Sequence, residues 1–108
     1  MHDPERRHYP RIKAKVPVEL RCPGTAPMRT ATDEISIGGC YIETMFTMDI
    51  GTNVELVLSL DGENIHATGT IATKYPQVGN GIDFQNMSAA ESKKLSDFVS
   101  KHEHDQES

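Results

Sequence analysis

Two short segments of the 108-residue chain carry side chains that could bind an anionic ligand. In the first, Arg7 and Arg11 are separated by three residues that include Pro10. Proline disfavours a helical conformation at the preceding residue, so we expect an extended segment in which an even separation returns both guanidinium groups to the same side. Two such groups can bind phosphate oxygens or the O6 and N7 edge of guanine. Arg6 would point away from the side that Arg7 and Arg11 share. A solvated basic tail is the alternative for this segment taken alone.

The second segment presents a carboxylate and a hydroxyl before a pair of glycines. In a strand, Glu34 and Ser36 share one face while Ile35 and Ile37 take the other, so we expect the polar pair to point outward. A carboxylate can accept from the donor edge of guanine, and a hydroxyl can donate and accept. The glycines Gly38-Gly39 allow positive φ and close backbone approach. Taken alone, this segment is equally compatible with a polar strand end followed by an ordinary glycine turn.

The charge of the chain is distributed unevenly. The formal net charge is −5, yet residues 5–15 contain five cationic side chains and one carboxylate. An acidic body with one basic segment disfavours binding of a nucleic acid polymer, which needs a continuous basic face, and suits a small anion. A barrel that binds single-stranded nucleic acid would also need more aromatic stacking platforms than three tyrosines and three phenylalanines provide.

The composition predicts one soluble, cytoplasmic domain that is not an enzyme. No stretch approaches the roughly 20 apolar residues that span a bilayer, so we expect no membrane insertion, and the charged N-terminus lacks the apolar core of a signal peptide. Cys22 and Cys40 form no CxxC pair and are expected to be buried thiols. No catalytic motif is visible, and the five scattered histidines indicate neither a metal site nor a metal cofactor.

Alternating apolar residues predict the strands that must position these side chains. Such patterns occur in residues 15–22, 28–35, 40–44, 54–60 and 65–71, and in a short strand that contains Ile82 and Phe84. Asp61-Gly62 is typical of a tight hairpin turn, and we interpret Gly79-Asn80-Gly81 as the next turn. The loop residues Met45, Phe46 and Met48 are expected to pack at the core or its rim, and would become a candidate partner surface if exposed together.

A helix is predicted to follow the strands. Ser88 and Glu91 form an S-x-x-E capping box, and Leu95, Phe98 and Val99 form a narrow apolar stripe. The polar remainder, from about Lys101 to Ser108, is expected to fray. Short strands, glycine turns and one terminal helix together predict an all-β fold, a small antiparallel barrel with a C-terminal α-helix.

With both segments considered together, the sequence resembles the PilZ domain family. That family has an RxxxR segment followed by a (D/N)xSxxG strand and turn. Residues 7–11 match the first motif, and residues 34–39 match the second at Ser36 and Gly39. Gly81-Ile82-Asp83-Phe84 and the Met87-Ser88 entry to the helix are also similar to the family. The resemblance extends roughly from Glu5 to Val99.

The resemblance implies a six-stranded barrel that binds the bacterial second messenger cyclic di-GMP. It implies an N-terminal basic ligand-binding segment (residues 1–14), a PilZ-like barrel with its helix (15–101) and a polar tail (102–108). Binding would change the N-terminal segment and signal to an unidentified bacterial effector protein. The alternative is a ligand-independent PilZ-type interaction module for a motility or secretion apparatus. The implied cyclic di-GMP-binding residues are Arg6, Arg7, Arg11, Glu34, Ser36 and Gly39.

The chain departs from the second motif at one position, where Glu34 replaces Asp or Asn. The additional methylene moves the carboxylate by more than about an ångström, so we expect weakened but not abolished ligand binding. Asp33 is adjacent, but in a regular strand it points to the opposite face. It is therefore expected to be a poor substitute unless a bulge redirects it.

Overall fold

A computed structural model describes the backbone of residues 11–107 and the side chains of residues 11–102. This part of the chain forms seven strands followed by one helix. The elements are β1 (Ile12–Lys13), β2 (Pro17–Arg21), β3 (Met28–Ser36), β4 (Gly39–Glu43), β5 (Asn53–Leu60), β6 (Glu63–Tyr75), β7 (Gly79–Asn86) and α1 (Ala89–Glu107).

The strands form one antiparallel sheet that closes on itself. The order is β1-β3-β2-β5-β6-β7-β4, and an additional pairing between β3 and β4 closes the sheet. Strands β2 to β7 therefore make a closed six-stranded barrel, and β1 is an additional short strand on β3. The predicted all-β barrel with a C-terminal helix is confirmed. Closure also removes the unpaired edges that an open sheet of this size would present.

The alternating pattern of β5 and β6 places one face of each strand inside the barrel. The side chains of Leu56, Leu58 and Ile65 are almost completely buried, and Asp61-Gly62 connects the two strands. Both turn residues have positive φ, 50° at Asp61 and 89° at Gly62, as a tight hairpin turn requires. The predicted hairpin turn is confirmed.

Strand β1 joins the N-terminal part of the described chain to the barrel. It pairs with β3 through Ile12↔Ile35 and Lys13↔Glu34, along the same edge of β3 that β2 occupies further on. Thr32 connects the two pairings, because its hydroxyl donates to the Ala14 carbonyl at 2.5 Å and accepts from the Val16 amide at 3.0 Å. Ile12 is buried in the core, so the predicted N-terminal segment (residues 1–14) is anchored to the barrel at its end.

The predicted turn at Gly79-Asn80-Gly81 is wrong, because these residues begin β7 and the turn lies at residues 76–78. The glycines are required by close packing instead of by chain reversal. A Cβ on Gly79 would collide with the carbonyl oxygen of Ile42, and one on Gly81 with the hydroxyl of Thr73. The buried amide of Asn80 accepts from the backbone of Met48 at 2.8 Å and donates to its carbonyl at 2.9 Å.

Helix α1 starts at the predicted capping box and packs against β1, β3 and β6. The Glu91 amide donates to the Ser88 hydroxyl at 3.1 Å, and Leu95, Phe98 and Val99 are buried. The helix continues to Glu107, and its polar last part contains neither glycine nor proline to interrupt it. The fraying expected from about Lys101 stays a prediction. Within residues 11–107, no helix combines the length and the apolar character needed to cross a membrane.

Candidate functional site

The first arginine that the structure describes lies beside the second motif. The antiparallel pairing of β1 with β3 brings Arg11 to the end of β3, and its Nη1 atom lies 3.9 Å from Oε1 of Glu34. Arg11 is exposed over 73% of its side chain and Glu34 over 33%, so both remain accessible to a ligand. The other two predicted arginines, Arg6 and Arg7, lie outside the described residues.

Ser36 shapes the hairpin between β3 and β4. Its hydroxyl accepts from the Gly38 amide at 3.1 Å and donates to the Gly39 carbonyl at 3.4 Å. The prediction that Ser36 points outward while Ile37 faces inward is wrong: Ser36 is buried and Ile37 is exposed. The reason is local, because the serine hydroxyl turns back to bond the backbone of the two-residue turn.

Gly39 allows β4 to approach β7 closely. A Cβ at this position would collide with the carbonyl oxygen of Ile82, and the neighbouring Gly38 carbonyl accepts from the Phe84 amide at 2.9 Å. Gly39 does not have a positive φ, so backbone freedom is not what selects glycine here. The motif glycine therefore fixes the position of the hairpin against the neighbouring strand.

A β-bulge interrupts β3 directly before the motif. The register with β4 changes between Thr32↔Ile42 and Glu34↔Tyr41, which leaves Asp33 as the additional residue. Thr32 and Ile35 both point inward, and Asp33 and Glu34 between them are both partly exposed. The expectation that Asp33 lies on the opposite face from Glu34 is therefore wrong, because it assumed a regular strand.

Tyr41 faces this part of β3 and was not among the predicted site residues. It pairs with Glu34 across the strands and contacts Tyr75 edge to face, with ring centroids 6.1 Å apart. Burial raises the pKa of Tyr41, and the neighbouring Glu43, Tyr75 and Asp33 raise it further, so the hydroxyl remains protonated at neutral pH. A phenol in that state can still donate a hydrogen bond.

Two properties of the described residues bear on the chemistry of the site. Burial raises the pKa of the Cys40 thiol to about 12, which leaves almost no thiolate to act as a nucleophile at neutral pH. Among the described residues, no three His, Cys, Asp or Glu side chains come together as metal ligands would. The site combines a guanidinium group, two carboxylates and a tight hairpin, which can recognise an anion that also carries hydrogen-bond donors.

Comparison with known sequences agrees with this geometry. The family model for the PilZ domain matches residues 5–101, which include both motifs and the entire barrel. The chain belongs to the PilZ family. No curated protein sequence is significantly similar to it.

Several solved structures share the fold at low sequence identity. The Bacillus subtilis inhibitor of motility MotI/DgrA has a TM-score of 0.81 at 17% identity; the alignment covers 93% of this chain and 52% of MotI. The PilZ domain of YcgR from Escherichia coli, solved with c-di-GMP, has a TM-score of 0.76 at 14% identity. The alignment covers 94% of this chain and 94% of the YcgR domain. The PilZ domain of CeSA from a cellulose-synthesizing bacterium has a TM-score of 0.69 at 23% identity, covering 88% of this chain and 99% of CeSA. This chain therefore spans about half the length of MotI.

Proposed function

We propose that this PilZ protein is a non-catalytic cyclic di-GMP receptor and adaptor. The observation that carries the proposal is the meeting of the two motifs, in which Arg11 of the RxxxR segment lies 3.9 Å from Glu34 of the ExSxxG segment. Membership of the PilZ family and the similarity to a PilZ domain solved with c-di-GMP support it. The proposal includes Arg6 and Arg7 as further ligand-binding residues.

The roles of the site residues follow from their chemistry. Arg11 is exposed and always charged, so it can bind phosphate oxygens or the O6 and N7 edge of guanine with both of its terminal nitrogens. Glu34 can accept hydrogen bonds from the ligand or hold Arg11 in position. Ser36 and Gly39 preserve the hairpin that supports both groups.

Isothermal titration with cyclic di-GMP tests the proposal. The wild-type protein should give saturable heat, and Arg11→Ala should weaken binding by about one-hundred-fold, because a charged bidentate contact is lost. Its melting temperature should change little, since the side chain of Arg11 is mostly exposed.

The matched control is Arg21→Ala, which removes another exposed arginine. Arg21 lies on β2, and its ion pair with Glu19 at 3.4 Å makes it comparable to Arg11 in charge and surroundings. This variant should bind cyclic di-GMP as the wild type does. Equal heats from the wild type, Arg11→Ala and Arg21→Ala would overturn the assignment.

We further propose that binding changes the N-terminal segment and thereby signals to an effector protein. Arg11 is continuous with β1, so a ligand held by Arg11 acts on the strand that anchors this segment. The proposal places the protein in the cytoplasm with its second messenger. Limited proteolysis of the N-terminal segment with and without cyclic di-GMP measures the change, and identical cleavage rates would contradict it.

One observation favours the alternative, a ligand-independent protein-interaction module. Two neighbouring loops expose an apolar rim made of Met45, Phe46, Ile50 and Val78, with Phe46 exposed over 81%. The Thr44 amide donates to the Val78 carbonyl at 3.0 Å and holds the loops together. Partner capture that is lost in Phe46→Ser but insensitive to nucleotide and to Arg11→Ala would favour this module over the receptor.

A further inference from the structure

The bulge in β3 gives the site two adjacent carboxylates on one face. In a regular strand the side chains of residues 32 to 35 would alternate between inside and outside. Instead, Thr32 and Ile35 are both buried, and the additional residue in the register lies between them. A bulge of this kind redirects a side chain without changing the pairing of the strand as a whole.

Tyr41 on the neighbouring strand belongs to the same face as Asp33. The Asp33 carboxylate is close enough to Tyr41 to contribute to the raised pKa of that phenol. Tyr41 lies directly opposite Glu34 in the register and is itself partly exposed, whereas its neighbours Cys40 and Ile42 point into the core. Asp33, Glu34 and Tyr41 therefore share the outer surface of the barrel.

The two carboxylates differ in what they already contact. Glu34 forms a long ion pair with Arg11, in which Oε1 of Glu34 lies 3.9 Å from Nη1 of Arg11, beyond hydrogen-bond distance. Among the side chains of residues 11–102, none forms a hydrogen bond or ion pair with the carboxylate of Asp33. As far as residues 11–102 are concerned, both oxygens of Asp33 are available to accept, and Asp33 directly precedes Glu34, the position at which the chain departs from the family motif.

Given the proposed function, we propose that Asp33 accepts hydrogen bonds from the donor edge of guanine, while Glu34 positions Arg11. Guanine presents its N1–H and its 2-amino group along one edge, and a carboxylate has two oxygens with which to accept from them. Asp33 is then a specificity-determining residue and Glu34 a positioning residue. The bulge compensates for the longer side chain of Glu34 at the motif position. It brings the shorter carboxylate of Asp33 to the outer face, whereas in a regular strand Asp33 would point inward.

The test compares cyclic di-GMP with cyclic di-IMP, whose bases lack only the 2-amino group. Asp33→Ala, which removes both acceptor oxygens, should weaken cyclic di-GMP binding about ten-fold to one-hundred-fold and reduce the preference for cyclic di-GMP over cyclic di-IMP. Glu34→Gln should weaken both ligands in the same proportion and leave that preference unchanged, because it loosens Arg11 without touching the base.

Asp97→Ala is the matched control, because Asp97 is an exposed acid on α1 whose ion pair with Lys93 lies outside the site. It should leave both affinities and the preference unchanged. A thermal melt of each variant confirms that the barrel is folded, which we expect because the Asp33 carboxylate holds no other side chain of residues 11–102.

The outcomes separate the two levels of the proposal. If Asp33→Ala keeps the affinity and the ligand preference of the wild type while Arg11→Ala loses binding, the role of Asp33 is overturned and the receptor assignment stands. If the preference for cyclic di-GMP over cyclic di-IMP disappears in Glu34→Gln and not in the Asp33 variant, Glu34 is the residue that binds the guanine edge. If the wild-type protein does not bind cyclic di-GMP, the proposed function is overturned, and the role of Asp33 with it.

Discussion

The β5–β6 and β3–β4 hairpins are built from the same kind of pairing but differ in regularity. The register of β5 with β6 continues without a shift from Asn53↔Thr70 to Leu60↔Glu63, and the buried face is apolar. The register of β3 with β4 is interrupted by a bulge, and the buried residues of β3 include Thr32 and Ser36. The regular hairpin supports the core, whereas the irregular one carries the candidate site.

The comparison shows how the barrel separates stability from recognition. Buried apolar side chains stabilise a strand in proportion to the area they remove from water. Buried hydroxyls contribute less, yet they fix particular backbone atoms, as Thr32 does for Ala14 and Val16. Changes in the first hairpin should therefore act on stability alone, and changes in the second on both stability and binding.

The largest expected effect is on the regular hairpin. Leu58→Ala removes a completely buried side chain from β5 and should lower the free energy of unfolding by about 2 to 5 kcal/mol. Urea denaturation measures the loss. The affinity of the folded fraction for cyclic di-GMP should be unchanged, and Glu55→Ala, an exposed position on the same strand, should have little effect on either property. A loss below about 1 kcal/mol would contradict the assignment of β5 to the core.

An intermediate effect is expected in the irregular hairpin. Thr32→Val keeps the shape of the side chain but leaves the Val16 amide without its acceptor, which should cost about 1 to 3 kcal/mol. Because the same hydroxyl holds the connection to β1, ligand affinity should fall as well. Denaturation and calorimetry on one preparation measure both.

Thr70→Val provides the control in the regular hairpin. The hydroxyl of Thr70 donates to the exposed Asn53 amide oxygen at 3.3 Å, and water can replace that bond. Stability and affinity should both remain close to wild type. If Thr32→Val lowers stability and leaves affinity intact, β1 does not position Arg11 through this contact.

The smallest expected effect concerns how α1 attaches to the regular hairpin. Glu91 accepts from the backbone amide of His66 on β6 at 3.0 Å, and this bond, with those from Ser88 and the His66 side chain, lowers the pKa of Glu91. A lowered carboxylate pKa contributes stability above its ordinary value, and that contribution disappears as pH falls through the lowered value. Glu91→Gln should therefore be less stable than wild type at neutral pH, and the difference should vanish in acid.

Unfolding curves at a series of pH values measure this dependence. Glu43→Gln serves as the control, since Glu43 is an exposed acid on β4 that pairs with Gly79 of β7. Its neutralisation should leave the loss of stability in acid as it is in the wild type. A constant difference between wild type and Glu91→Gln at every pH would show that the helix cap acts through packing and not through its charge.

The sequence predicted the regular parts of the fold well and the irregular parts poorly. Strict alternation in β5, the Asp61-Gly62 turn and the Ser88 cap are local signals, and the structure confirms each one. Gly79-Asn80-Gly81 was ambiguous because glycine serves both chain reversal and close approach. Only the position of the Ile42 carbonyl distinguishes the two, and that depends on how β4 and β7 pair.

For the candidate site, the sequence alone determined the residue types and the order of the two motifs, because charge, hydroxyl and glycine content can be read without coordinates. The tertiary structure decided which of these groups meet. Arg11 and Glu34 come together through the pairing of β1 with β3, and Asp33 reaches the outer face through the bulge. Both depend on the register between strands distant in sequence, and a shift of one residue reverses the face of every side chain in a strand.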